Sequence, residues 1–232
     1  AKNFFRNRFN KKGIGPFAIY NAIQNDKSLP TKIKNSKIII SIFTSSDLET
    51  NFLTDNKQRY IYRNQYEAIK KTINIYKNNK QIEFFIRAHP NTIFDNYVNE
   101  EYKKISKHYK RCYYIDPLSD VSSYSLIKNS NIIICFGSTI GLEAAYLKKN
   151  VINLGPSPYM KFKIDFQPKN HNQNIKIINK LIKKNKFDNT KFNRCLIATD
   201  AMLRQGTKLK FLNKKDFMHA EFNFNGKKDN LK

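Results

Sequence analysis

"NIIICFGSTIGLEAAYLKKNVINLGPSPY", residues 131–159, decides how this chain folds. It opens with three isoleucines and a cysteine, an apolar run suited to a strand buried on both faces (131–137). A helical stretch (138–149) follows, then a second β-branched run (151–159) that leaves into a proline-rich turn. The chain has only seven glycines, and two of them, Gly137 and Gly141, flank Ser138 and Thr139 here. Gly137 allows a sharp turn from strand to helix, and Ser138 or Thr139 places a hydroxyl at the helix start. The N–H groups and positive dipole end of that first turn favour a phosphate. Gly141 allows backbone or ligand to approach closely. Glu143 lies on the same turn, where a carboxylate suits the two hydroxyls of a ribose. An ordinary serine-capped turn, with Glu143 favourable to the helix dipole, accounts for the same residues.

The strand-helix alternation extends upstream. "KIIISIF" (37–43) and "IEFFIRAHP" (82–90) read as strands, as does "RCYYIDP" (111–117). Between them, Tyr66, Ile69, Ile73 and Tyr76 form one stripe of a helix over 65–79, and 98–110 is helical. Residues 120–130 form a further helix, with Asp120, Ser122 and Ser123 as candidate N-caps. Five strands separated by four helices predict an α/β, Rossmann-like parallel sheet with helices on both faces over 37–160. Residues 1–36 are expected to be an irregular or partly helical lead-in. Two helices follow within 161–220, and 221–232 is expected to be a loose tail.

Ligands of such sheets bind beyond the carboxyl ends of the strands. Two further candidates fall there. After the second strand, His89 in "RAHP" is placed to donate a hydrogen bond or proton to a phosphoryl oxygen. Arg87 adds charge for a diphosphate, and Pro90 closes the strand. After the first strand, Ser45 and Ser46 offer a phosphate-binding turn, while Asp47 and Glu49 read more readily as helix caps. The loop "PLSDVSSYS" (117–125) could hold a nucleobase through its backbone. His108, His171 and His219 have no comparable setting. No GxGxxG follows the first strand, and neither a GxxxxGK[ST] loop nor a GxSxG elbow occurs.

The chain carries 43 Lys+Arg against 18 Asp+Glu, a net charge of +25. A polyanionic partner is one reading: nucleic acid, an anionic lipid surface or an acidic polysaccharide. Composition drift is the favoured one, because the excess is lysine interleaved with asparagine and isoleucine throughout. No RNA-recognition or zinc-finger pattern is present, so nucleic acid is not the expected partner. Cys112, Cys135 and Cys195 are isolated from one another, which points to neither a metal site nor a disulfide framework, and to a reducing, cytoplasmic setting.

In this order, "FTSS", "RAHPN" and "DPLSDVSSYSLIKNSNIIICFGSTIGLEAAYLKKNVINLGPSPY" resemble the bacterial capsule polysaccharide biosynthesis proteins, over roughly residues 37–160. The resemblance implies the C-terminal, donor-binding half of a glycosyltransferase-B fold. It also implies transfer of a sugar from a nucleotide-sugar, a CMP-sugar by preference, to a surface polysaccharide or lipid-linked acceptor. His89 with Pro90, and Ser138 with Thr139, match the motifs that bind donor phosphate in related sialyl- and Kdo-transferring enzymes. Glu143 is then the ribose ligand. No metal and no cofactor beyond the nucleotide-sugar substrate is implied. An acceptor-side N-terminal domain is expected in addition to this chain, as is cytoplasmic residence with peripheral contact to the anionic inner-membrane surface. A UDP-sugar 2-epimerase and a CDP-alcohol phosphotransferase are the neighbouring alternatives. A non-catalytic basic module binding an anionic polymer is the alternative of another class.

Overall fold

A computed structural model describes residues 1–11, 24, 25, 28, 38–46, 61–93, 95–204, 212–214, 220–224 and 227–231. The expected caps Asp47 and Glu49, His219 and most of the lead-in lie outside these residues. Strands β1 (Ile38–Phe43), β2 (Ile82–Arg87), β3 (Cys112–Ile115), β4 (Ile132–Cys135) and β5 (Asn150–Asn153) form one parallel sheet of order 3-2-1-4-5. Every residue of β2, β4 and β5 is buried, as continuous apolar runs covered on both faces must be.

Alternation along the strands sorts the core into two layers. Ile40, Ile42, Phe84, Ile86, Ile132, Ile134 and Ile152 face α2 (Gln65–Tyr76), α3 (Asn96–His108) and a later helix, α6 (His171–Lys183). Ile39, Phe43, Phe85, Ile133, Cys135 and Val151 face the other side, toward α4 (Ser123–Asn129), α5 (Ile140–Tyr146) and α7 (Asn189–Arg204). Ser122 caps α4, its hydroxyl accepting the Ser125 N–H at 3.3 Å, which selects one of the three expected caps.

Within the lead-in, Lys2–Phe9 forms a helix, α1. Its Phe5 is fully buried and stacks on Tyr146 at 4.1 Å, so α1 is part of the second core layer. The tail also departs from expectation. Strands β6 (Leu212–Lys214), β7 (Ala220–Phe224) and β8 (Lys227–Leu231) form a separate antiparallel sheet. The cause is a period of two in "AEFNF" together with an Asn-Gly pair, a strong hairpin signal, between the paired residues Phe224 and Lys227.

All three cysteines are free and buried. Burial pushes the thiols of Cys112 and Cys195 up to about 12 and raises that of Cys135 as well. An unfolded thiol ionises near pH ~8.5, so above that pH the unfolded chain holds fewer protons than the folded one. Stability therefore falls as pH rises from about 8.5 towards 12, by up to ~1.4 kcal/mol per thiol per pH unit. Urea unfolding at a series of pH values is expected to show this decline, and a Cys112→Ala/Cys195→Ala double variant is expected to show a shallower one.

Candidate functional site

The strand order reverses between β1 and β4, and a crevice opens at their carboxyl ends. That position is where open parallel sheets bind ligands. Of the expected site residues, Arg87, His89, Pro90, Ser138, Thr139 and Glu143 line it, brought together from two segments of the chain.

His89 closes β2 and starts a 3-10 turn over Pro90–Thr92. Its Nδ1 accepts the Asn91 N–H at 3.1 Å, which in the neutral ring leaves the proton on Nε2. Its own N–H donates to Thr44 Oγ1 at 2.9 Å. The imidazole is thus fixed as an Nε2–H donor at the crevice wall. Arg87 is buried, its guanidinium donating to the carbonyls of Asp116 and, at 3.2 Å, Ser119. Burial lowers its pKa to about 10, opposed by the Asp116 carboxylate, so it remains a cation at neutral pH. Its first task is to tie the β3–α4 loop to the end of β2.

Ser45 and Ser46 are not brought to the crevice. Both are buried, and the Ser45 backbone is clamped by the Gln65 amide, at 2.9 Å to its N–H and 3.0 Å to its carbonyl. Thr44 lines the crevice in their place. Of "FTSS", the hydroxyl residue that lines the crevice is thus Thr44, one position before the two serines.

Gly137 has φ +79°, and a Cβ there would overlap the Pro156 carbonyl oxygen, so glycine is required. The close approach at Gly141 comes from Tyr159: its hydroxyl would lie only 2.4 Å from a Cβ there, and it donates to the Ser138 carbonyl at 2.5 Å. Gly141 therefore serves packing beneath the turn. Ser138 Oγ accepts the Ile140 N–H at 3.4 Å, and Thr139 is exposed. Asn153, at the end of β5, holds the turn through its Oδ1, which accepts the Gly137 N–H at 2.8 Å.

Glu143 is not presented as an open carboxylate. It is 1% exposed, and Arg8 of α1 pairs with it, Nε to Oε1 at 2.7 Å. Burial raises its pKa, opposed by Arg8 and by a hydrogen bond from Tyr124. Arg8 and Tyr124 also line the crevice. Sequence pattern could not have found Arg8, which lies far from Glu143 in the chain. Asn153 did leave a signal: an amide in a strand buried on both faces must have a partner. Of the other histidines, His171 bonds the Tyr62 hydroxyl at 2.8 Å, and His108 packs edge-on against Tyr109, both away from the crevice. No group of three His, Cys, Asp or Glu side chains that could hold a metal occurs among the described residues.

An open 3-2-1-4-5 parallel sheet, helices on both faces and a crevice at the switch point define a Rossmann-like α/β domain. The chain belongs to the capsule polysaccharide biosynthesis protein family, which it matches over residues 55–193. A comparison with curated proteins finds no match. Among solved structures it is similar to a Listeria monocytogenes protein assigned as a UDP-N-acetylglucosamine 2-epimerase. The TM-score is 0.51 and the identity 14%, covering 83% of this chain and 53% of that one. It is also similar to KpsC of Thermosulfurimonas dismutans, a beta Kdo 2,4 transferase (TM-score 0.37, identity 17%, 55% and 37% covered). A third is the C-terminal domain of the group 1 glycosyl transferase LpcC from Francisella tularensis (TM-score 0.40, identity 17%, 80% and 92% covered). The chain spans about half the length of the first of these structures.

Asn153→Ala removes the acceptor of the buried Gly137 N–H and is expected to destabilise the chain by about 2–3 kcal/mol. Tyr159→Phe, which leaves the Ser138 carbonyl still bonded to the Gly141 N–H, is expected to lose only about 1 kcal/mol. Urea denaturation of the two variants checks the order.

Proposed function

We propose that this chain carries the donor site of a glycosyltransferase that moves a sugar from a nucleotide-sugar to a capsule-type surface polysaccharide or its lipid-linked precursor. One observation carries the reading: Thr44 after β1, His89 after β2 and Ser138–Thr139 after β4 converge on one crevice at the switch point. Membership of the capsule biosynthesis family supports the polysaccharide as product.

In such a transfer the bond between sugar carbon and phosphate oxygen breaks, the acceptor hydroxyl oxygen bonds the sugar carbon and yields its proton to a base on the acceptor side, and negative charge gathers on the departing phosphate. The His89 Nε2–H meets that charge, as donor of a hydrogen bond or of the proton. The hydroxyls of Ser138 and Thr139 add hydrogen bonds, and Arg87 holds the crevice at positive potential. Donors fixed in advance need no reorganisation as the charge develops. A ribose contact by Glu143 requires its pair with Arg8 to open. The cytidine preference rests on the motif resemblance, as does the absence of any cofactor beyond the donor. Among the described residues no helix is long and apolar enough to cross a membrane, and the reading places the protein in the cytoplasm, peripheral to the inner membrane.

Calorimetric titration with CMP, CDP and UDP tests the donor site. Saturable binding of a cytidine nucleotide is expected, weakened about tenfold by Ser138→Ala through loss of one hydrogen bond to a charged group. His89→Ala should reduce transfer more than it reduces binding. Binding of UDP alone would favour the epimerase alternative. No nucleotide binding beside tight binding to heparin would overturn the reading in favour of a basic polymer-binding module.

A further inference from the structure

Away from the crevice, α6 and the start of α7 border a groove that the donor site does not use. The lysines of α6 differ from Lys71, Lys103 and Lys104 of α2 and α3 in having no carboxylate partner among the described residues. On α2 and α3, Lys71, Lys103 and Lys104 pair with Glu67, Glu100 and Glu101 at 2.6, 2.8 and 2.5 Å. The α6 segment, HNQNIKIINKLIK, contains no acidic residue. Lys176, Lys180 and Lys183 follow one another at intervals of four and three, which puts them on one face of the helix. Lys184 and Lys186 continue the row into the connection to α7. All five are exposed, and none forms an ion pair with a described residue. The one carboxylate on the groove, Asp188, is engaged in capping, accepting the Thr190 N–H at 2.9 Å.

Within this basic rim the lining is apolar: Phe166, Ile175 and Phe187 are half-buried and Leu181 is buried. Phe187 directly follows Lys186 in the connection. A row of unneutralised lysines around an aliphatic and aromatic strip matches a surface that is anionic outside and apolar a few ångströms deeper. Asn150, the first residue of β5, bonds the Asn185 side chain at 2.8 Å, so this connection sits at the opposite end of β5 from the crevice. Occupying the groove leaves the crevice open.

We propose that the α6–α7 groove is the face by which this chain docks on an anionic phospholipid membrane, with the lysines on the headgroup phosphates and Phe187 at the interface. Docking does not require the transferase reading to hold. The test is sedimentation of the chain with phosphatidylcholine vesicles, with and without about 30 mol% phosphatidylglycerol, at about 0.15 M salt. Lys180→Gln/Lys183→Gln/Lys184→Gln/Lys186→Gln removes four charges from the groove. Lys77→Gln/Lys80→Gln/Lys107→Gln/Lys110→Gln removes four from the α2–α3 side and serves as the matched control. Circular dichroism establishes that both variants are folded.

The expected result is binding to the anionic vesicles only, reduced at least tenfold by the groove variant and less than twofold by the control. Equal losses in the two variants would overturn the proposal in favour of diffuse charge. So would a wild-type chain that does not distinguish anionic from neutral vesicles, or one that binds heparin and neither kind of vesicle.

Discussion

The amide of Asn153 is the constraint on which the crevice depends. Its Oδ1 accepts the N–H groups of Gly137 and Gly155 at 2.8 and 3.3 Å, and its Nδ2 donates to Ser157 Oγ at 3.1 Å. One buried side chain thereby joins the exit of β4 to the exit of β5. The two loops lie so close that neither glycine has room for a Cβ: Gly137 meets the Pro156 carbonyl, and Gly155 meets the backbone of Phe136 at 2.9 Å. Tyr159 then fills the space over Gly141 and holds the Ser138 carbonyl. The turn carrying Ser138 and Thr139 is fixed before any ligand arrives, which is what electrostatic stabilisation of a leaving phosphate demands.

The sheet was legible because its strands are short β-branched runs separated by amphipathic helices, and a parallel sheet covered on both sides imposes that pattern. The positions of His89, Ser138 and Thr139 followed from the same logic, since strand ends converge in an open sheet. What escaped was long-range or depended on a single register step. Thr44 and Ser45 are neighbours of nearly equal chemistry, yet Thr44 lines the crevice, its hydroxyl accepting the His89 N–H, while the Ser45 backbone is clamped by Gln65. Arg8 and Glu143 lie far apart in the sequence, and no local pattern announces an ion pair between a lead-in helix and α5.

That pair also alters the meaning of Glu143. An open carboxylate in the crevice would repel any anionic ligand. Glu143 paired with Arg8 is close to neutral as a unit, and burial makes both partners depend on the pairing. Since Phe5 anchors α1 against Tyr146, the position of Arg8 is set by core packing, and the electrostatics of the crevice are tied to the docking of the first helix.

The net charge of +25 is spread over lysines throughout the chain, and those of α6 have no acidic residue on their own helix. A composition rich in lysine everywhere supplies cations without selection for a partner, and carboxylates three or four residues away neutralise several of those on α2 and α3. Drift explains these. It does not by itself explain a thirteen-residue helix that has three lysines on one face and no acid. Like charges at that spacing oppose the helix by a few tenths of a kcal/mol per pair. The packing of Ile178 and Leu181 into the core is large enough to absorb this, so the fold tolerates the stripe without requiring it. A feature that is tolerated, concentrated beside an apolar strip and placed away from the donor crevice is better explained by an external anionic surface than by the needs of folding.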